Sequence, residues 1–304
     1  MPLEAGSAMN KLVAVVLNFR TPDKTLDCLR SLAKEGITRV VLVENSEDGG
    51  ASMHAMQSGL VGLCDAGVMV DIVDEGRNLG FAAGVNRALD SIMTRGLADV
   101  LLLNSDARLL PGCLQTLRDA IRSGADLAAP MLISAMGESK RPVSYYQIQT
   151  GLVSQHALPG ALLFTTGACV LLSAHIVGPG LFDEAFFFYG EDVMLAAKLK
   201  EIGCRSVVAE TAFAVHEGSG SSHNGSLFYE YHINRGHLLL ARKLPKSAAG
   251  RLMSMLGRCV FLPLRALARA LRSGESVPLR GFSLALLSVA KGEVEPLTPP
   301  PTSR

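Results

Sequence analysis

Four short apolar runs punctuate the first third of the chain, and each is followed by a segment with helical spacing. The runs are LVAVVL (12–17), RVVLVEN (39–45), VMVDIV (68–73) and DVLLL (99–103). Runs this short and continuously apolar read as strands covered on both faces. Helical spacing follows Pro22 up to Gly36, recurs near 53–60 and 82–95, and opens again at Pro111. Strands alternating with helices at this interval predict a doubly wound, mostly parallel α/β sheet. Ligands of such sheets sit at the carboxyl ends of the strands.

The regularity fails after ADLAAPML. Residues 137–159 read as a long irregular segment carrying Tyr145, Tyr146 and His156. The uncharged window 157–174 approaches membrane-span length, but Pro159, Gly160, Gly167 and two threonines favour a buried loop and strand. A strand GACVLLSA, a helix from about Glu191, a strand SVVAE and a Gly/Ser loop follow. The pattern from Leu227 onward is mainly helical and ends in a Pro-rich segment. The expected organisation is a flexible tail over 1–10, an α/β domain over 11–226 and a helical region over 227–304.

A formal net charge of +1 gives no electrostatic case for a nucleic-acid partner. Residues 241–280 are different, with nine Lys or Arg against the single acid Glu275. The six cysteines form no C-x-x-C pair, so neither a zinc site nor a redox motif is suggested, and reduced thiols in the cytoplasm are the expectation. MPLEAGSAMNKL has neither the basic nor the apolar part of a signal peptide.

Several stretches carry residues suited to chemistry. Asn104, Ser105 and Asp106 emerge at the end of the fourth run, where Asp106 either holds a divalent cation or caps the helix near Pro111. EGRNLGFAAGVNRAL places Gly80 and Gly84 at a loop-to-helix turn beside Arg77, suiting an anion site or simply close packing. FFFYGEDVML sets Glu191 and Asp192 in a first helical turn after four aromatics. The helix dipole alone accounts for acids there, while rings beside paired acids would suit a sugar-binding wall with a general base. His216 follows a strand and reads as either structural or functional. The first run ends in NFRTP rather than a glycine fingerprint, which argues against an NAD-linked oxidoreductase.

In order along the chain, VVLNFRTPDKTLDCLRSL, VVLVENS, RNLGFAAGVNRAL, LLLNSDARLLPG, GLFDEAFFFYGEDVML and VHEGSGSS resemble family 2 inverting glycosyltransferases of the GT-A fold. The resemblance is strongest to their bacterial rhamnosyltransferase-like branch and covers residues 11 to about 245. It implies that Asn18 and Glu44, with Arg20, contact the base and ribose of a nucleotide-sugar donor. Arg77, Asn78 and Gly80 would lie at its diphosphate, with Asn104 and Ser105 also on the donor. Asp106 would be the last acid of a D-x-D motif, holding Mg²⁺ or Mn²⁺ with His216, and Asp192, beside Glu191, would be the catalytic base. The implied donor is dTDP-L-rhamnose, and the implied acceptor is a glycan of a lipid-linked or lipopolysaccharide core or O-antigen. The alternatives are another UDP- or GDP-sugar, or a non-catalytic nucleotide-sugar-binding scaffold. The sequence departs from the family pattern at Asn104, Glu44 and Met194, where acids (Asp at position 44) are usual.

Arg251, Arg258, Arg265 and Arg272 recur every seven residues, with Leu252, Met255, Leu256, Leu264, Leu267 and Leu271 on an apolar side and Pro263 expected to break or kink the segment. A basic amphipathic helix pair of this kind predicts a peripheral position on an anionic membrane, at its cytoplasmic face.

Overall fold

The structure, a computed structural model, describes residues 11–218 and 225–292. The 1–10 tail, most of the Gly/Ser loop (219–224) and the Pro-rich end (293–304) lie outside the described residues. The strands are β1 (Leu12–Asn18), β2 (Arg39–Glu44), β3 (Met69–Asp74), β4 (Asp99–Asn104), β5 (Ala107–Leu109), β6 (Leu127–Ile133), β7 (Ser139–Lys140), β8 (Val143–Gln147), β9 (Val153–Ser154), β10 (Ala161–Thr165), β11 (Cys169–Leu172) and β12 (Ser206–His216). The helices are α1 (Pro22–Lys34), α2 (Ala51–Asp65), α3 (Gly80–Met93), α4 (Cys113–Arg122), α5 (Glu191–Glu201), α6 (Leu227–Lys243), α7 (Ala248–Ser273) and α8 (Val277–Lys291).

The main sheet runs β3-β2-β1-β4-β11-β6-β12-β5, with β7 on β6. Its first four strands are parallel, as the alternation of runs and helices requires, and β11 then enters antiparallel between β4 and β6. Residue alternation splits the strands between two cores. Ala14, Val16, Leu42, Leu101 and Leu103 pack with α1, α2 and α4 on one face. Val13, Val15, Val41, Val100 and Leu102 pack with α3 and α5 on the other. Chain order reverses between β1 and β4, so a crevice opens at their carboxyl ends.

Two expectations change in the middle of the chain. The helix predicted from Pro111 starts at Cys113, because β5 and a turn through Gly112 (φ 81°) intervene. Its first N–H groups are met by Glu35, which accepts from Gly112 N at 3.0 Å and Leu114 N at 2.9 Å, so Asp106 is not its cap. The predicted irregular segment 137–159 instead contains β7, β8 and β9, the last two joined by β10 into a second antiparallel sheet. Single strands this short have weak periodicity, and Tyr146 facing Leu162 across the pair supplies what the sequence pattern lacks. The window 157–174 forms β10 and β11, in different sheets, and no described helix is long and apolar enough to cross a membrane.

The helical end also differs from expectation. Pro263 lies inside an unbroken α7, held on either side by buried Leu262 and Ala266. Of the arginine stripe, Arg258 and Arg265 face the body, and Arg251 and Arg272 at the ends are exposed. Arg258 is 0 % exposed, donating from Nη2 to the Tyr146 hydroxyl at 2.9 Å and from Nε to the His237 carbonyl at 3.3 Å. Arg265 and Arg269 meet buried Glu230 at 3.4 and 2.6 Å. The leucines of the predicted apolar side point outward instead.

Candidate active site

A cavity of about 270 Å³ opens at the crevice beyond β1 and β4. It draws its walls from eight places in the sequence, and the backbone explains how the main ones arrive there. Leu17 and Phe19 leave β1; Asn104, Ser105 and Asp106 leave β4. His216 comes to Asp106 through the antiparallel pairing of β12 with β5, which sets His216 opposite Ala107. The His216 Nε2 to Asp106 Oδ1 distance is 3.3 Å, and Glu217 N donates to the Asp106 carbonyl at 3.2 Å. The short strand β5 is therefore the device that joins two residues 110 positions apart.

The opposite wall is the aromatic segment before α5. Phe187, Phe188 and Tyr189 line the cavity, while Phe186 is buried beneath them. Two glycines permit this path. Gly80 has φ 76°, and a Cβ there would overlap the Phe187 carbonyl oxygen. Gly236 of α6 lets the Tyr189 carbonyl approach in the same way. Phe81 N donates to the Phe187 carbonyl at 2.9 Å, stitching α3 to the segment. Phe228 of α6 completes the ring cluster, 6.0 Å from Phe188 and 6.4 Å from Phe187 between centroids.

Gly190 (φ 99°) turns the chain into α5 and delivers Glu191 and Asp192 to the cavity. Burial pushes both carboxyls above the ordinary range, and for Glu191 the neighbouring Asp192 charge adds to this. Asp192 Oδ1 accepts the Val193 N–H at 2.8 Å, which favours its ionised form. Glu191 Oε2 is buried without a hydrogen-bond partner. Two adjoining acids cannot both ionise cheaply in such a place. The hydrogen bonding puts the charge on Asp192 and the shared proton on Glu191.

Of the residues singled out in the sequence, Asn78, Gly80, Asn104, Ser105, Asp106, Glu191, Asp192 and His216 come together around this cavity. Asn18, Arg20, Glu44 and Arg77 are not among its lining residues. Asn18 and Glu44 are buried and bonded to each other, Nδ2 to Oε2 at 2.8 Å, with Ser46 Oγ accepting from Asn18 Nδ2 and Ser46 N donating to Glu44 Oε1. Arg20 donates from Nε to the Ser46 carbonyl at 2.9 Å, and Arg77 is exposed. These four therefore stand behind or beside the cavity, Asn18 and Glu44 bracing its β1 and β2 rims. Asn78 is turned onto Gly80, its Oδ1 accepting from Gly80 N at 2.9 Å.

Sequence reasoning missed Phe19, Asn45, Thr166, Gly167 and Phe228 as lining residues. Asn45 carried a legible signal, since it is a polar residue ending an apolar run. It holds α3 in place, donating to the Gly80 carbonyl at 3.0 Å and accepting from Leu79 N at 3.3 Å. Phe228 carried none, because α6 reaches the cavity only through tertiary packing.

Asp106 and His216 offer one oxygen and one nitrogen to a cation. Among the described residues no group of three or more His, Cys, Asp or Glu is arranged for a metal. This pair fits a Mg²⁺ or Mn²⁺ that takes most of its shell from ligand oxygens and water, and does not fit an all-protein cage.

No protein-family model and no curated protein matches the chain. Solved structures do. GalNAc-T7, with UDP, GalNAc and Mn²⁺, superposes at a TM-score of 0.55 and 12 % identity over 88 % of this chain and 58 % of its own. The mannosyltransferase PcManGT from Pyrobaculum calidifontis, in complex with GDP-Man and Mn²⁺, gives 0.54 and 14 % over 94 % and 89 %. TarS of S. aureus gives 0.52 and 15 % over 83 % and 43 %. The chain has the GT-A fold. At 58 % and 43 % of two of these proteins, it spans about half of their length. The cavity lies beyond the carboxyl ends of the parallel strands β1 and β4.

Proposed function

We propose that the protein is a metal-dependent inverting glycosyltransferase that takes a nucleotide-sugar donor in the crevice beyond β1 and β4. The observation that carries this reading is the pairing, in one cavity, of the Asp106–His216 couple with the raised Glu191–Asp192 acids. Asp106 and His216 would hold Mg²⁺ or Mn²⁺, which when bound supplies charge stabilisation at the donor diphosphate. The aromatic wall offers ring faces to a sugar. Asp192, ionised beside a protonated Glu191, accepts the proton of an acceptor hydroxyl as its oxygen bonds to the anomeric carbon. The bond from that carbon to the diphosphate breaks on the opposite face, and a single displacement inverts the configuration. Buried Asn18, Glu44 and Asn45 hold the rim against which the donor rests.

The preferred donor is dTDP-L-rhamnose and the preferred acceptor a lipid-linked or lipopolysaccharide glycan, both supported by the sequence resemblance. A second reading, transfer from a UDP- or GDP-sugar, is favoured by the UDP and GDP-Man held by two proteins of the same fold. Calorimetric titration of dTDP-L-rhamnose, UDP-sugars and GDP-sugars with Mn²⁺ separates them. Selective binding of the dTDP sugar, weakened in Asp106→Ala, supports the first reading. Binding of another sugar nucleotide moves the assignment to the second, and binding of none overturns both.

A further inference from the structure

The outward face of α7 is apolar over its whole length. Leu252, Leu256, Val260, Leu264, Leu267 and Leu271 follow one another at three- and four-residue spacing, each 46–76 % exposed. At about 1.5 Å per residue they mark a stripe on the order of 30 Å long. The charges in the middle of the same helix are turned the other way, and only Arg251 and Arg272 near its ends are exposed. Arg258 is buried against Tyr146 and His237, and Arg265 and Arg269 are consumed by Glu230. A helix solvated by water places its charges outward and its leucines inward. Between Arg251 and Arg272 this one does the reverse, so its outer face is built for surroundings other than water.

We propose that the outer face of α7 lies in the interfacial layer of a lipid bilayer, leucines in the acyl boundary, with anionic headgroups met by cations at the margins. Charge complementarity selects this occupant. Residues 241–291 hold ten basic residues against one acid, Glu275. Those left exposed include Arg251 and Arg272, near the two ends of α7, and Arg280 at the start of α8. Leucine and valine fill the centre of the stripe, residue types that protein interfaces under-use as anchors. Burial of apolar side chains supplies the affinity, and the marginal arginines supply the preference for anionic lipid. The predicted basic stripe is thus replaced by an apolar one, which changes the salt dependence. Binding through arginines alone would vanish at high salt, whereas binding through leucines persists.

Flotation of the full chain with vesicles of phosphatidylcholine, with and without phosphatidylglycerol, tests this. The protein floats with both, more strongly with the anionic mixture, and remains bound at high salt. Leu256→Asp/Leu264→Asp/Leu267→Asp lowers the partition coefficient by at least about tenfold. Arg251→Gln/Arg272→Gln removes only the anionic preference. A second measurement leaves the leucines intact: an environment-sensitive dye on exposed Cys259 of α7 shifts to the blue with vesicles, and the same dye on exposed Cys64 of α2 does not. Absence of flotation with either vesicle overturns the proposal. So does a concentration-dependent dimer, seen by light scattering, that the triple variant abolishes without any vesicle binding. Vesicle binding requires no donor chemistry, so its failure would leave the transferase reading standing.

Discussion

Asp192 and Glu191 share a helix turn and a desolvated wall, yet the hydrogen bonds around them differ. Asp192 is met by the Val193 N–H and Glu191 Oε2 by nothing. Asp192→Asn should lower turnover by about 10²–10⁴-fold while leaving donor affinity near wild type, measured by initial rates and calorimetry. Because burial raises the Asp192 carboxyl, the acid limb of the rate profile should fall at a pH above the ordinary carboxylate range. Gly80 is constrained twice over, by φ 76° and by the Phe187 carbonyl. Gly80→Ala should cost about 1–3 kcal/mol in urea denaturation and raise the donor KM by displacing the aromatic wall.

Elements meet here by close approach rather than by long apolar seams alone. Gly257 of α7 lets the helix sit on the Gln149 carbonyl, and Gly281 of α8 sits on Glu230 of α6. Arg258 then crosses from α7 to reach Tyr146 of β8 and His237 of α6, its guanidinium 5.5 Å from the Tyr146 ring centre. This places the helical end and the second sheet in one packed unit beneath Phe186 and Val193. Arg258→Ala should destabilise the chain by about 3 kcal/mol, because it empties a buried site and leaves the Tyr146–His237 bond without its third member. Denaturant titration of the two proteins checks this. Arg251→Ala, on the exposed end of the same stripe, should change stability by no more than about 0.5 kcal/mol.

At the scale of the whole molecule, two buried groups give stability opposite dependences on pH. Burial and the Arg258 and Arg265 charges lower the His237 pKa from 6.5 to about 3. The unfolded chain therefore binds more protons between these values, and stability is lost as pH falls from 6.5 toward 3, by up to roughly 1.4 kcal/mol per unit. His237→Asn keeps a polar partner for Tyr146 and should flatten that slope. Glu191 acts in the other sense. Its folded pKa is raised, so its contribution is full below the unfolded carboxylate range and is lost as pH rises through the folded value. Glu191→Gln should accordingly gain stability over wild type at alkaline pH, with the difference closing at acid pH, as read by urea titration across the range.

The alternation of apolar runs with helical spacing, read along the chain, determines the parallel half of the sheet. Each element there is specified by its own residues and packs against its neighbours in sequence. The polar residues that follow the fourth run, from Asn104 to Asp106, mark the candidate site for the same reason: at the carboxyl end of a central strand a polar group can face a cavity instead of the core. Tertiary structure alone decided the rest. His216 reaches Asp106 only because β12 pairs with the three-residue β5, which is too short to show a period. Asn18 and Glu44, polar residues at strand ends like Asp106, turn inward to each other, since a partner 26 positions away is within 2.8 Å. Arg258, Arg265 and Arg269 of α7 face the body because a tyrosine and a buried carboxylate on other elements wait for them, and heptad spacing carries no sign saying which face of a helix is inside.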